Sequence, residues 1–308
     1  MTTDLFNASV WEKAWKEDPE AMGNKFRKAG TDLARSFDHK AKTFNEEVFS
    51  EGGRRRSERI IGWLEGLGVS FEGQSVLDVG AASGGFTVPF ADRGAKVTAV
   101  EPNIPLGELF MENTARFPQG QVELVRDLFE NVDLDARSWK GAFDLVFVSM
   151  SPAVTDWESV ESVLSCARKY CYISLNAGGR EHSLMNEVLP LLSGQEVHAK
   201  SSDMAYLTHL LYLKGYSFES LITREMKSME VPREEAIEET LQMLKHHGHT
   251  ADESARRIVT EYVHRTYPEG KVLIKQGGRY GKVLIRLQEL NMYSRAEAGE
   301  SREQRAES

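Results

Sequence analysis

Between residues 75 and 176 short, almost wholly apolar runs alternate with segments whose apolar residues recur every three or four positions. The runs SVLDVG (75–80), KVTAVEP (96–102), VELVRD (122–127), FDLVFVSM (143–150) and CYISLN (171–176) predict buried strands. Parallel strands covered on both faces need this near-continuous apolar character. Stretches around 85–93, 104–117, 157–168 and 184–193 predict the crossover helices. Alternation of this kind indicates an α/β fold with a doubly wound, mostly parallel sheet.

The flanks read differently. The first 60 or so residues are helical in pattern. In TDLARSFDHKAKTFNEEVF (31–49) Leu33, Phe37, Ala41, Phe44 and Val48 form one apolar stripe. Gly52-Gly53 interrupts it, and a further helix runs through Ile60, Ile61 and Leu64 to Gly66. Beyond residue 200, DMAYLTHLLYLKGY (203–216) predicts a helix and SFESLITRE (217–225) a sixth strand. Two charged helical stretches follow, at about 232–247 and 251–266. KVLIKQ (271–276) and KVLIRLQ (282–288), separated by the turn-like GGRYG, predict a closing pair of strands. The expected organisation is a helical cap over 1–58, a ligand-binding domain over 59–290 with a helical insertion at about 226–270, and a disordered tail over 291–308.

Composition narrows the class. At 308 residues and 41% apolar, the chain can bury a sizeable core. Lys and Arg total 38 against 47 Asp and Glu, a net charge of −9 that argues against a dedicated nucleic-acid binder. The two cysteines, Cys166 and Cys171, are too few for a disulfide framework or a zinc site and suit a reducing, cytoplasmic setting. The first residues carry acids without a continuous apolar stretch, unlike a signal peptide, and no run approaches a membrane span.

The chemistry concentrates in VLDVGAASGGF (76–86), a strand running into a turn with Gly80, Gly84 and Gly85. Glycine permits the sharp turn and the close approach of a ligand. Dinucleotides and S-adenosylmethionine both use such loops, and Asp78 separates them. A carboxylate there would repel a pyrophosphate but attract the ammonium and sulfonium of S-adenosylmethionine, directly or through water. Glu101, 21 residues after Gly80, stands where an acid accepts both ribose hydroxyls. It would equally suit a solvated helix N-terminus. Asp127 ends the third strand, placed for an adenine amino group, with Leu128 or Phe129 against the ring, or else as a plain loop acid.

Together VLDVGAASGGF, the acid of AVEP and the acid of VRDLF resemble the cofactor signature of the class I (Rossmann-like) methyltransferase superfamily, over about residues 60–225 with a final strand at 282–288. The resemblance implies seven strands, the last antiparallel, and S-adenosylmethionine as cofactor with S-adenosylhomocysteine as product. It implies Asp78, Gly80, Ala82 and Gly84 around the methionine part, Glu101 on the ribose and Asp127 at adenine; Ala81, Pro102, Leu128 and Ser149 complete the expected cofactor set. Ala82 replaces the more usual glycine, and the insertion at about 226–270 departs from the family pattern, as a lid or an oligomer contact; a homodimer stays open.

For the acceptor the signals thin out. GAASGGF also resembles the loop of ribosomal RNA 2′-O-methyltransferases, whose Lys-Asp-Lys-Glu tetrad would fall near Arg59, Ser149 and Asn176, and none of the three matches. Ser151-Pro152-Ala153 only loosely echoes the loop of amino-methylating enzymes and reads more simply as a turn. No general base is assigned, since alignment alone can suffice for transfer to a thiol or amine. Phe37, Lys40 and Phe44 are candidates to wall the methyl pocket, or simply dock the N-terminal helix; Asn176 and His182, in the loop AGGREH, are further candidates at its mouth. The His246, His247, His249 and His264 group and the Arg54-Arg55-Arg56 run read as solvated helix ends, and no metal is expected. The expected activity is methyl transfer to a small molecule; RNA or protein methylation, and cofactor binding without catalysis, are the alternatives.

Overall fold

The computed structural model describes residues 4–193, 203–246 and 252–288. Four helices precede the sheet: α1 (Ala8–Glu17), α2 (Met22–Ala29), α3 (Ala41–Val48) and α4 (Glu51–Gly66). Then follow β1 (Ser75–Val79), α5 (Thr87–Asp92), β2 (Lys96–Val100), α6 (Ile104–Thr114), β3 (Val122–Val125), β4 (Phe143–Ser149), α7 (Trp157–Cys166) and β5 (Ala167–His182). The remainder is α8 (Ser183–Ser193), α9 (Asp203–Leu213), β6 (Ser217–Pro232), α10 (Arg233–His246), α11 (Glu253–Thr266) and β7 (Lys271–Arg286).

The strands form one sheet in the order β3-β2-β1-β4-β5-β7-β6, with β1 to β5 parallel and β7 antiparallel to both its neighbours. This is the Rossmann-like, seven-stranded arrangement with an antiparallel last strand. Period-two alternation divides the strand residues between two cores. Leu77, Val79, Val146, Val148, Ile173 and Val283 face α1, α7 and α9, meeting Trp15, Trp157 and Leu207. Val76, Leu145, Phe147, Tyr172 and Leu284 face α4 and α5, meeting Ile61, Leu64 and Phe90. Each such large side chain contributes roughly 1.5–3 kcal/mol by leaving water. Local signals start the helices: Asn103 caps α6 through Leu106 N–H, and Asp156 with Ser159 forms a capping box on α7.

Several expectations from the sequence are corrected. KVLIKQ, GGRYG and the KVLIR of the last segment are one unbroken strand, β7, paired along its length with β6. Its glycines answer close neighbours: a Cβ on Gly277 would collide with the Glu225 carbonyl, and one on Gly281 with the Met204 side chain. The AGGREH segment is likewise the end of β5, and β6 continues to Pro232, so the insertion begins inside a strand. Extended in this way, β6 and β7 carry a third core, in which Val231, Val272 and Ile274 meet α8, α10 and α11 through Leu184, Val188, Ile237, Leu241, Val259 and Val263. Helix α8 thus serves this smaller core, while α9 covers the main sheet where the crossover was expected.

The N-terminal region also departs from a separate helical cap. Residues 33–40 are turns, not helix; Asp32 Oδ1 takes the Ala34 N–H, an alternative to the helical ladder. Only Ala41–Val48 is helical, and Gly52-Gly53 lies in the first turn of α4, which crosses the expected boundary at residue 58. Trp15 is fully buried in the main core, its indole N–H donating to Asp203 Oδ1 at 2.9 Å. His247, His249 and the 291–308 tail lie outside the described residues, as does the His246 side chain. Among the described residues no cluster of His, Cys, Asp or Glu could hold a metal, and no helix is long and apolar enough to cross a membrane.

Candidate functional site

The ends of β1, β2 and β3 stand side by side at the carboxyl edge of the sheet, and each carries one of the expected acids. Asp78 is buried on the face toward α5, where its Oδ2 accepts a 2.6 Å hydrogen bond from the Thr87 hydroxyl. Burial pushes its carboxyl up to about 7, with the Glu101 charge adding to the effect and the Thr87 hydroxyl and N–H opposing it. Glu101 is also buried and pushed above the usual carboxylate range by loss of water, against the pull of two backbone donors. Those donors are Ala82 N–H on Oε2 and Asn103 N–H on Oε1, each at 2.8 Å. Each oxygen retains a second lone pair able to accept a hydroxyl. Asp127 is half-buried; its Oδ1 accepts from Leu128 N–H at 2.8 Å and Asn131 Nδ2 at 3.2 Å.

The loop between β1 and α5 holds an unusual backbone. Gly80 and Gly84 have φ of +76° and +91°, and Ala82 reaches +50°, where an L-residue is strained. The Glu101 bond to Ala82 N–H holds that conformation, so the acid shapes the loop as well as facing it. At Gly80 the space a Cβ would fill is taken by the Ser151 side chain, from the turn after β4. Ala81 is buried against Ala99 and Phe110, and Pro102 lies between the two halves of the Glu101–Asn103 clasp. Ser149 ends β4 with its hydroxyl 3.2 Å from that of Ser174 on β5. Met150, following it, has φ of +54° and donates its N–H to the Ser174 carbonyl.

Residues 33–48 run as a strap across this edge. Asn103 Nδ2 donates to the Ala34 carbonyl at 2.9 Å and to Asp38 Oδ1 at 2.7 Å. Asn113 Nδ2 joins Asn45 Oδ1 at 2.8 Å to the Ser83 carbonyl at 2.9 Å. A Cβ on Gly85 would collide with Val48, so that glycine serves the strap rather than a ligand. Phe37, Lys40 and Phe44 form one cluster within it: the rings meet edge to face at 5.1 Å, and the Lys40 ammonium lies 4.3 Å over Phe37.

The remaining candidates separate. Asn176 pairs with Tyr280 at the carboxyl end of the main sheet and is half-buried. His182 does not stand at the mouth. It ends β5 beyond a bulge, opposite Gln276 and so four residues of β7, or about 13 Å, from Tyr280, buried beneath α8 with Nδ1 accepting from Met185 N–H. Sequence reasoning missed Thr87, Asn103, Asn113 and Lys282, and read Ser151 as part of a turn. Of these, Thr87, at the start of a helix nine residues after Asp78, and Asn103, an N-cap residue ahead of α6, gave local signals.

No family model matches the chain, and no curated protein matches it. Solved structures do. The YcgJ protein from Bacillus subtilis is similar at 12% identity and a TM-score of 0.47, over 77% of this chain and all of that one. Magnesium protoporphyrin IX methyltransferase from Synechocystis PCC 6803, solved with bound SAM, is similar at 15% identity and a TM-score of 0.41, over 72% of this chain and 90% of that one. A phosphoethanolamine N-methyltransferase from Haemonchus contortus shares 13% identity at a TM-score of 0.47, over 85% of this chain and 59% of that one.

Proposed function

We propose that the protein is an S-adenosylmethionine-dependent methyltransferase acting on a small molecule. The observation that carries this reading is the pair of buried carboxylates, Asp78 and Glu101, on adjacent parallel strands flanking a loop with three positive φ values. Buried acids without a cationic partner are costly. A ligand bearing an ammonium and a sulfonium offsets that cost; a pyrophosphate would add to it.

The residues present fit such a ligand. Asp78 would face the methionine part, the free lone pairs of Glu101 the ribose hydroxyls, and Asp127 the adenine amino group. Asp127 Oδ2 takes no hydrogen bond from the described residues. When bound, the cofactor supplies an electrophilic methyl on sulfur, and the chain's part is to align an acceptor and exclude water. In this reading the 33–48 strap is a lid: its Asn103 and Asn113 anchors lie beside Glu101 and the glycine loop, and Phe37, Lys40 and Phe44 would border the acceptor. Asn176 and Ser149 would line the acceptor side of the same edge.

Calorimetric titration with S-adenosylmethionine, S-adenosylhomocysteine and NAD(H) tests the reading. Micromolar binding of the first two, and none of the third, is expected. Binding of NAD(H) alone would return the loop to a dinucleotide.

A further inference from the structure

One row of the sheet's carboxyl end runs across four strands. Ser149 of β4 pairs with Ser174 of β5, Ser174 with Lys282 of β7, and Lys282 with Leu221 of β6. Paired side chains share a face, and this is the face covered by α4, since Tyr172 and Leu284, two residues back, belong to that core. Lys282 is only 7% exposed. Its Nζ donates to Thr223 Oγ1 at 2.8 Å, and the Thr223 hydroxyl donates on to Glu225 Oε1 at 3.2 Å. An ammonium carries three donors, and no carboxylate among the described residues forms an ion pair with this one.

Above it, Arg56 and Arg59 sit one turn apart on α4. Both are near enough that their charges, together with burial, hold Lys282 below the usual lysine range, against the pull of Glu225. Arg286 of β7 donates to the Leu67 carbonyl just after α4, so the earlier turns of that helix, with Arg56 and Arg59, lie toward the carboxyl edge. The acids of α4 are engaged elsewhere: Glu51 pairs with Arg55, and Glu58 and Glu65 with Arg93. Neither Arg56 nor Arg59 has a carboxylate partner among the described residues. Of the charges that act on Lys282, two are cationic, Arg56 and Arg59, and one, Glu225, is a carboxylate, on a chain of net charge −9. Ligands of open α/β sheets bind at this edge.

We infer that Lys282, Arg56 and Arg59 form an oxyanion-binding subsite for a phosphate or carboxylate group of the methyl acceptor. The inference rests on the methyltransferase reading for what the anion belongs to. Lys282 lies two strand spacings, about 10 Å, from Ser149 at the tip of β4. An acid-bearing metabolite of modest size therefore spans from this anchor to the methyl pocket. The hydroxyls of Ser149 and Ser174 line the path between.

The test uses the full chain saturated with S-adenosylhomocysteine and titrated by calorimetry with inorganic phosphate and, separately, benzoate. At least one anion is expected to bind in the millimolar range, and the tighter of the two tells phosphate from carboxylate. Lys282→Met and Arg59→Gln should each weaken it at least fivefold, with S-adenosylhomocysteine affinity held within twofold. Lys271→Met, at the far end of β7, should leave it unchanged. Arg59 is exposed, so its variant reports binding even if the Lys282 variant folds poorly. Absence of binding by either anion, or equal binding to both variants, overturns the subsite. A tenfold loss of S-adenosylhomocysteine affinity in the variants also overturns it, assigning the cations to the cofactor's own carboxylate. If S-adenosylhomocysteine fails to bind at all, the methyltransferase reading falls, and the anion titration on the free protein still decides the subsite.

Discussion

The Asp78 carboxylate and the Thr87 hydroxyl, 2.6 Å apart, tie the last turn of β1 to the first residue of α5 across the glycine loop. Thr87 is the sole side-chain hydrogen-bond partner, among the described residues, of an acid whose burial pushes it up to about 7. Folded protein therefore holds this proton more tightly than the unfolded chain does. The contribution is full below the ordinary carboxylate value of 3.8 and is lost as pH rises toward 7. By pH 8 the ionised acid costs about 4 kcal/mol at 1.36 kcal/mol per unit.

Asp78→Asn removes that cost but buries an amide NH2, worth about 1–3 kcal/mol if unpaired. The variant should gain roughly 1–3 kcal/mol of stability at pH 8, read from denaturant unfolding, while its S-adenosylmethionine affinity falls at least tenfold. Loss of stability together with retained affinity would mean that the acid is structural.

Cofactor binding should itself depend on pH. A cation beside Asp78 needs the ionised form, so below pH 7 binding must expel one proton. Affinity should then fall by up to tenfold per pH unit between pH 7 and 5.5. Titration calorimetry in buffers of different ionisation enthalpy would count the proton. A flat profile would place the sulfonium away from Asp78.

At its α3 end the strap is tied to the glycine loop by Asn113, which donates to Asn45 Oδ1 and to the Ser83 carbonyl. Asn113→Ala should cost about 1–2 kcal/mol locally, seen as faster protease cleavage within residues 33–48. For a lid, turnover should fall more than cofactor affinity does. Truncating the whole N-terminus is a poorer test, because Trp15 belongs to the main core; Trp15→Ala alone should cost about 3–5 kcal/mol.

His182 Nε2 is buried without a hydrogen-bond partner among the described residues, and burial holds the ring below the usual histidine range despite Glu239 and Glu187. The unfolded chain therefore takes up a proton first. Stability from this group is present above pH 6.5 and lost as pH falls toward the folded value. His182→Asn, which keeps an acceptor for Met185 N–H, should flatten the acid limb of stability for the α8–α10–α11 region, measured by hydrogen exchange at pH 5 and 7.

What was legible in the residues was whatever depends on near neighbours. The five apolar runs from 75 to 176 became β1 to β5, because strands buried on both faces must be apolar wherever they sit. The glycine loop follows β1 directly, and the acids at 78, 101 and 127 stand within two residues of the strand ends, so the candidate edge could be read before any fold was known. The far ends of β5 and β6 and the middle of β7 could not. There each strand is polar or glycine-rich, and what keeps it extended is the neighbour beside it.

The sequence by itself determined the doubly wound core and its acid-lined loop, since both arise from local pattern and backbone sterics. Tertiary structure alone decided three things. GGRYG is strand rather than turn because β6 approaches too closely for any Cβ on Gly277. His182 is a core residue because α8 folds over it. Lys282 comes within electrostatic reach of Arg56 and Arg59, more than 220 residues away, because an antiparallel strand returns beneath the helix that precedes the sheet. Contacts between residues so distant in the chain leave no periodicity to read; packing and strand register create them.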